Sequence, residues 1–306
     1  MNASFTIAFQ VGVMFILILF GFFCYKLGFI TNRANKQLSN IVITLVTPAI
    51  MFVSYQKEFD MKLARGLLIS FVLAAVSHFV LIAFGTLFIK KEGNANWNVE
   101  RFACVYSNCG FMGIPLMEAL YGSDGIFYLT AYITVFNIMM WTHGVITIRE
   151  VKDSKAILKA LKSPAIIATV LGIMMFLLQI TLPQIIMKPL NYIASLNTPL
   201  AMLVSGVTIA QTHFFTAVKK PRVYLIALLK LLVVPIILLL IFKPFNISEP
   251  VLNSAIIAAG CPTAAATIMF AYKYKKDAIY ASEIFVVSTL LAAFTLPLVI
   301  FVSGLL

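Results

Sequence analysis

A few residues in this chain combine useful chemistry with an unusual place. Ser107 and Asn108 open the stretch SNCGFMGIPL (107–116), which lies inside an apolar run yet also carries Gly110, Gly113 and Pro115. Lys230 and His78 lie near the middle of long apolar runs, and Thr47 and Thr198 each precede a proline. An asparagine amide donates to a carboxylate without carrying charge into an apolar setting. An ammonium at membrane depth marks a cavity or an ion path, or snorkels to the surface. An imidazole can titrate near neutral pH, though it more often packs as a neutral, hydrogen-bonded side chain. The patterns that catalysis would need are missing. There is no phosphate loop, GxSxG or HExxH. Asp60, Asp124, Asp153 and Asp277 all fall at the ends of apolar runs or between them. Cys24, Cys104, Cys109 and Cys261 lack metal-ligand spacing and are expected to be free thiols. His78, His143 and His213 are too scattered for a metal site. The residues point to binding rather than catalysis, with no cofactor.

Composition sets the medium. The 306 residues are 61% hydrophobic and 11% charged, against roughly 25% charged in soluble domains. Such a chain needs a lipid bilayer as solvent. A net charge of +12 suggests nucleic acid at first, but the bases stand in short clusters between apolar runs rather than along one face. The opening MNASFTIAFQVGVMFILILFGFF has neither a basic leader nor a cleavage site, so it reads as a first membrane span.

About 20 apolar residues cross a bilayer, and ten such spans are expected, at 6–25, 37–56, 64–89, 101–119, 125–148, 163–181, 190–211, 221–242, 250–271 and 278–304. The loops after odd-numbered spans, counted with Arg101 and Arg222 at the very start of spans 4 and 8, hold 17 of the 23 Lys and Arg. The positive-inside rule places those loops in the cytoplasm and both termini outside, as an even span count requires.

The two halves echo each other. LVTPAIM (45–51) matches LNTPLAM (196–202), Pro115 answers Pro262, and YGSDGIFY (121–128) answers YKKDAIY (274–280). Five spans per half require the second half to lie inverted. The expected fold is therefore all-α and integral to the membrane, with ten transmembrane helices in two inverted five-helix repeats: 1–148, a cytoplasmic connector 149–162, and 163–306. Spans 4 and 9 are the corresponding broken helices, read as crossing at Pro115 and Pro262. Irregular backbone at this depth is tolerated only against protein or a water-filled cavity. Two half-helix N-termini facing one another suit an anion, while exposed carbonyls could hold a cation or water.

The stretches LVTPAIMF (45–52), NCGFMGIPLMEALYG (108–122), NIMMWTHG (137–144) and AIIAAGCPTAAATIMFAYKY (255–274) resemble the auxin efflux carrier family, in order over nearly the whole chain. The resemblance implies the same ten-helix inverted fold, with helices 4 and 9 crossing. Asn108 matches the asparagine that holds the substrate carboxylate, Pro115 and Pro262 match the crossover prolines, and Asn137 matches a polar support position. A carboxylate of plant members early in helix 3 is replaced here by Ser70, which cannot titrate.

The expected function is secondary-active or facilitative transport of a small organic anion by alternating access. Malate or malonate is favoured over an auxin-like acid. The binding set is Asn108, Thr47, Gly110, Pro115, Cys261, Pro262, Thr263 and Thr198, with Lys230, His78, Asn137 and Ser70 in coupling or support. A capping role is also open to Asn108. Coupling to H+ or Na+, and a homodimer, are both open. The alternatives are a cation/proton antiporter or a bile-acid-type symporter on the same crossed-helix scheme. The expected location is the plasma (inner) membrane of a bacterium. Glu283 is expected at the membrane edge, or paired with Lys273, Lys275 or Lys276, and Glu118 and Asp124 at the interface.

Overall fold

The computed structural model describes residues 3–150, 158, 161–212 and 214–305. The connector expected at 149–162 falls mostly outside these, as does His213. The described residues form helices joined by short turns, with one isolated antiparallel bridge, Ser107 to Thr263. Seven helices are long and apolar enough to cross a membrane. They are α1 (Ala3–Lys26), α2 (Asn32–Ser54), α3 (Met61–Phe88), α5 (Cys109–Arg149), α7 (Gln184–Gln211), α8 (Pro221–Phe245) and α11 (Ala278–Leu305). Shorter helices fill the remaining apolar runs: α4 (Trp97–Val105), α6 (Pro164–Leu177), α9 (Glu249–Gly260) and α10 (Ala266–Lys273).

Two of the expected boundaries change. Span 4 divides between α4 and the start of α5, and α5 then runs on to Arg149 through a kink at Gly122, where φ is +57°. Span 9 divides into α9 and α10. Prolines shape the long helices in a recurring way. The π-helical stretches Val42–Val46, Cys109–Gly113 and Leu229–Val233 each end two residues before a proline, at Pro48, Pro115 and Pro235. Proline cannot donate to the carbonyl four residues back, and widening the turn lets the helix continue around that gap.

Helices α1, α2, α6 and α7 pack mainly on one another, and α3, α4, α5 and α8–α11 form a second group. Each group draws on both halves of the sequence. The first group is tightly packed. A Cβ on Gly206 would lie 2.0 Å from the Ile18 carbonyl oxygen, and one on Gly21 would lie 2.3 Å from that of Leu203. Only glycine permits α1 and α7 to approach so closely.

Ion pairs gather at the two ends of the bundle. At the end away from the termini, buried Glu100 accepts from Arg222 (2.8 Å), Tyr280 (2.8 Å) and Asn94 (2.8 Å). There Glu283 pairs with Lys220 at 2.6 Å, not with Lys273, Lys275 or Lys276. Glu150 bridges Lys276 (2.8 Å) and Lys91 (3.3 Å). At the termini end Lys57 pairs with Asp124.

Candidate functional site

The crossover is built by reciprocal capping. After Val105, residues 106–108 leave the helix, and after Gly260 the chain does so again until Ala266. The two breaks pair antiparallel: Asn108 N–H donates to the Pro262 carbonyl (2.7 Å) and Ala264 N–H to that of Tyr106 (2.9 Å). Helix ends leave carbonyls without partners, and each break supplies donors to the other helix. Thr263 Oγ1 donates to Ala103 O of α4 at 3.1 Å, and Ser107 Oγ to Ala259 O of α9 at 3.3 Å. Ser288 of α11 accepts from Thr263 N–H at 3.2 Å. The residues that cross are therefore Ser107 and Thr263. Pro115 lies in the first turn of α-geometry after its break, and Pro262 lies inside the second break.

Lys230 braces this junction from α8. Its Nζ donates to Ser107 Oγ (2.5 Å) and to the Val105 carbonyl (3.3 Å), and the residue is 0% exposed. A lone charge at membrane depth costs about 2.5–3.5 kcal/mol on insertion scales. Among the described residues no Asp or Glu pairs with it.

On the other side of the crossover lies a cavity of about 150 Å³. Its polar wall comprises Ser39, Thr47, Ser107, Asn108 and Asn137, with Gly110 beside them; its apolar wall includes Phe111, Phe136 and Met269. Both helix groups contribute, Ser39 and Thr47 from α2 and the rest from α5, α10 and the breaks. Asn108 is the distinctive member. It makes no capping bond with its side chain, its φ of −79° is not left-handed, and its buried Nδ2 has no hydrogen-bond partner. A half-turn about χ2 exchanges its donor and acceptor ends, so the amide can present either to the cavity. Beside it α5 begins at Cys109, and a helix N-terminus leaves its first N–H groups without an intrahelical carbonyl.

The remaining candidates divide. Thr47 and Gly110 reach the cavity and are joined behind it by Asn197, which accepts from Thr47 Oγ1 (3.3 Å) and donates to the Gly110 carbonyl (3.5 Å). Asn137 lines the cavity while donating to Ile133 O at 2.8 Å. Pro115, Cys261, Pro262 and Thr263 lie off the cavity wall; Pro262 and Thr263 make bonds of the crossover itself, and Pro115 opens the α-geometry beyond it. Thr198 also lies off it, since its neighbour Asn197 is the residue turned to α5. Ser70 bonds within its own helix, to Gly66 O at 2.9 Å. His78 is fully buried and off the cavity wall, bonded to Ala74 O at 2.8 Å and packed against the rings of Tyr132 and the wall residue Phe136. Asn197 and Ser107 were missing from the expected set. The signal for Asn197 was a polar residue in LNTPLAM where LVTPAIM has Val46.

Long apolar helices around a buried, polar-walled crossover are those of an integral membrane protein, and its family and relatives are transporters rather than enzymes. The chain belongs to the membrane transport protein family, that of the auxin efflux carriers, which it matches over residues 6–300. It is 25% identical over 305 residues to "Uncharacterized transporter YfdV" of Escherichia coli, covering 95% of each chain. It is 22% identical over 291 residues to "Uncharacterized transporter MJ1031" of Methanocaldococcus jannaschii, covering 90% of this chain and 92% of that one. It is 24% identical over 295 residues to a Rhizobium meliloti protein named "Putative malonate transporter", covering 91% and 90%.

Proposed function

We propose that the chain is a ten-span carrier of a small carboxylate, built from two inverted five-helix repeats and worked by alternating access in the plasma membrane, with both termini outside. The observation that carries this is the unpartnered Asn108 amide on the wall of a small cavity at the crossover. A neutral donor and adjacent helix N-terminal amides suit a carboxylate. Drug-sized ligands fill roughly 300–1,000 Å³. A cavity of about 150 Å³ favours malonate or malate over an indole acid, in keeping with the name of the Rhizobium relative.

The two helix groups supply the moving parts. At the termini end they are latched together: the Tyr55 and Thr130 hydroxyls bond, Thr134 donates to Thr169 at 3.2 Å, and Lys57 donates to Ser123 at 2.8 Å beside its pair with Asp124. Toward the other end the cavity rim carries Ile43 and Met269, each 48% exposed. The latch contacts support a carrier closed at the termini end, and the positive-inside rule makes the opposite end the cytoplasmic one in this reading. Rocking one group against the other would exchange the two faces around the fixed crossover.

The test is flux into proteoliposomes of labelled malonate, with unlabelled malate, malonate and indole-acetate as competitors. Saturable uptake, displaced by the short diacids and not by the indole acid, is expected. Sodium–proton exchange with no acid flux would overturn the reading in favour of an antiporter.

A further inference from the structure

In carriers with discontinuous helices, unwound carbonyls and half-helix C-termini coordinate the coupling cation. In this protein the carbonyl end of α4 at Val105 and the hydroxyl of Ser107 are already occupied, by the Lys230 ammonium at 3.3 and 2.5 Å. The ammonium is 0% exposed, is absent from the cavity wall, and has no carboxylate partner among the described residues. Its nearest link to the cavity is Ser107, which lines it.

We propose that Lys230 is the resident cation of the crossover: it takes the oxygen ligands that a coupling sodium ion would take, so anion binding proceeds without sodium. The inference rests on the carboxylate reading for its substrate, but not for its first two tests. The α8 backbone supports it, since the π-helical turn Leu229–Val233 places Lys230 within reach of the break before Pro235 continues the helix. A lysine there acts as a positioning residue. It holds Ser107 and the end of α4 in place and contributes charge from behind the wall.

Three measurements on the full-length protein decide the matter. First, the melting midpoint of the wild type is compared in equal concentrations of sodium chloride and choline chloride. Equal midpoints are expected, and a sodium-specific rise overturns the proposal. Second, Lys230→Ala, checked for a monodisperse profile, should melt earlier and recover part of the loss in methylammonium chloride but not in choline chloride, with the wild type unmoved by either. A variant that melts like the wild type, or one that no small cation restores, counts against a resident ammonium. Third, wild-type malonate flux should agree within about twofold between the two salts, whereas stimulation by sodium of about tenfold, or 1.4 kcal/mol, refutes it. If Lys230→Ala does not fold, the first and third measurements still decide. If malonate is not carried at all, the carboxylate reading fails, while the two melting experiments judge Lys230 independently.

Discussion

Replacing Asn108 by alanine separates a binding residue from a structural one. The Asn108 side chain caps no helix, and its Nδ2 bonds to nothing. The crossover bond at this position runs through the backbone, Asn108 N–H to the Pro262 carbonyl at 2.7 Å, and alanine keeps it. Removing an unsatisfied buried donor is close to neutral for folding, so Asn108→Ala should change stability by less than about 1 kcal/mol. Binding should behave differently. A hydrogen bond to a charged group is worth roughly 1.5–3 kcal/mol, and each 1.4 kcal/mol is about tenfold in affinity. The Kd for malonate should therefore rise roughly ten- to a hundredfold. Asn108→Asp should be worse, because it sets a carboxylate against a carboxylate in a cavity of about 150 Å³.

The assay is scintillation-proximity binding of labelled malonate to purified protein, run beside a melting curve on the same preparation. The expected pair of results is a near-normal midpoint with weakened binding. The opposite pair, an earlier midpoint with unchanged Kd, would show that Asn108 holds the crossover together and that the acid sits elsewhere.

Further outcomes follow from the packing and the ion pairs. Gly206→Leu must push α1 from α7, since even a Cβ lies 2.0 Å from Ile18 O; a loss of at least about 1–3 kcal/mol should show as aggregation in size-exclusion profiles, and a normal profile would contradict the close approach. Glu100→Ala strips Arg222 and Tyr280 of their shared acceptor and should cost about 1–3 kcal/mol, less when Arg222→Met is already present; strictly additive midpoints would exclude the pairing. Hydrogen bonds from Lys276 and then Lys91 hold the Glu150 carboxyl below its usual range. Its folded-state pKa is thus depressed, so its stabilisation is present at neutral pH and lost as pH falls through that value. The midpoint difference between wild type and Glu150→Gln should shrink to nothing under acid, and also in high salt; a difference that grows on acidification would reverse the assignment.

Much of the architecture was legible because continuous hydropathy marks continuous helices. The spans expected at 64–89, 221–242 and 278–304 lie within a few residues of α3, α8 and α11. The breaks were located less well, for a physical reason. Proline is tolerated in the first turn of a helix, where its missing N–H has no partner to lose. Pro115 thus stands just past its break, where α-geometry resumes, and the chain actually crosses at Ser107. Asn108, Thr47 and Gly110, singled out as polar or small residues in apolar runs, and Asn137, expected as a support position through the family resemblance, all lie on the cavity wall. Asn197 was not, because its partners, Thr47 and Gly110, lie 150 and 87 residues away in sequence and no local pattern encodes that contact. The pairing of Glu283 with Lys220 across 63 residues was hidden in the same way.

The placement of charge distinguishes the crossover from the rest of the protein. Among the described residues, Asp and Glu in ion pairs sit at the two ends: Glu100, Glu150 and Glu283 at one, Asp124 at the other. The crossover holds neutral amides, hydroxyls and the Lys230 ammonium, with no carboxylate on the cavity wall. A buried charge left without a counter-charge is costly in a medium of low dielectric constant. An internal carboxylate beside Lys230 would relieve that cost permanently, and would also remove any preference for an incoming anion. On the proposed function, acidic side chains kept at the ends would leave the counter-charge to the ligand. A carboxylate entering beside Asn108 would then gain both an unpartnered donor and the field of a cation one hydroxyl away. On this argument, moving an acid into the wall, as in Asn137→Asp, should weaken malonate binding even though Asn137 donates only to its own helix. Asn137→Ser keeps the wall neutral and should leave the affinity within about threefold, under 1 kcal/mol. Equal losses in the two variants would mean that shape, not charge, governs the site.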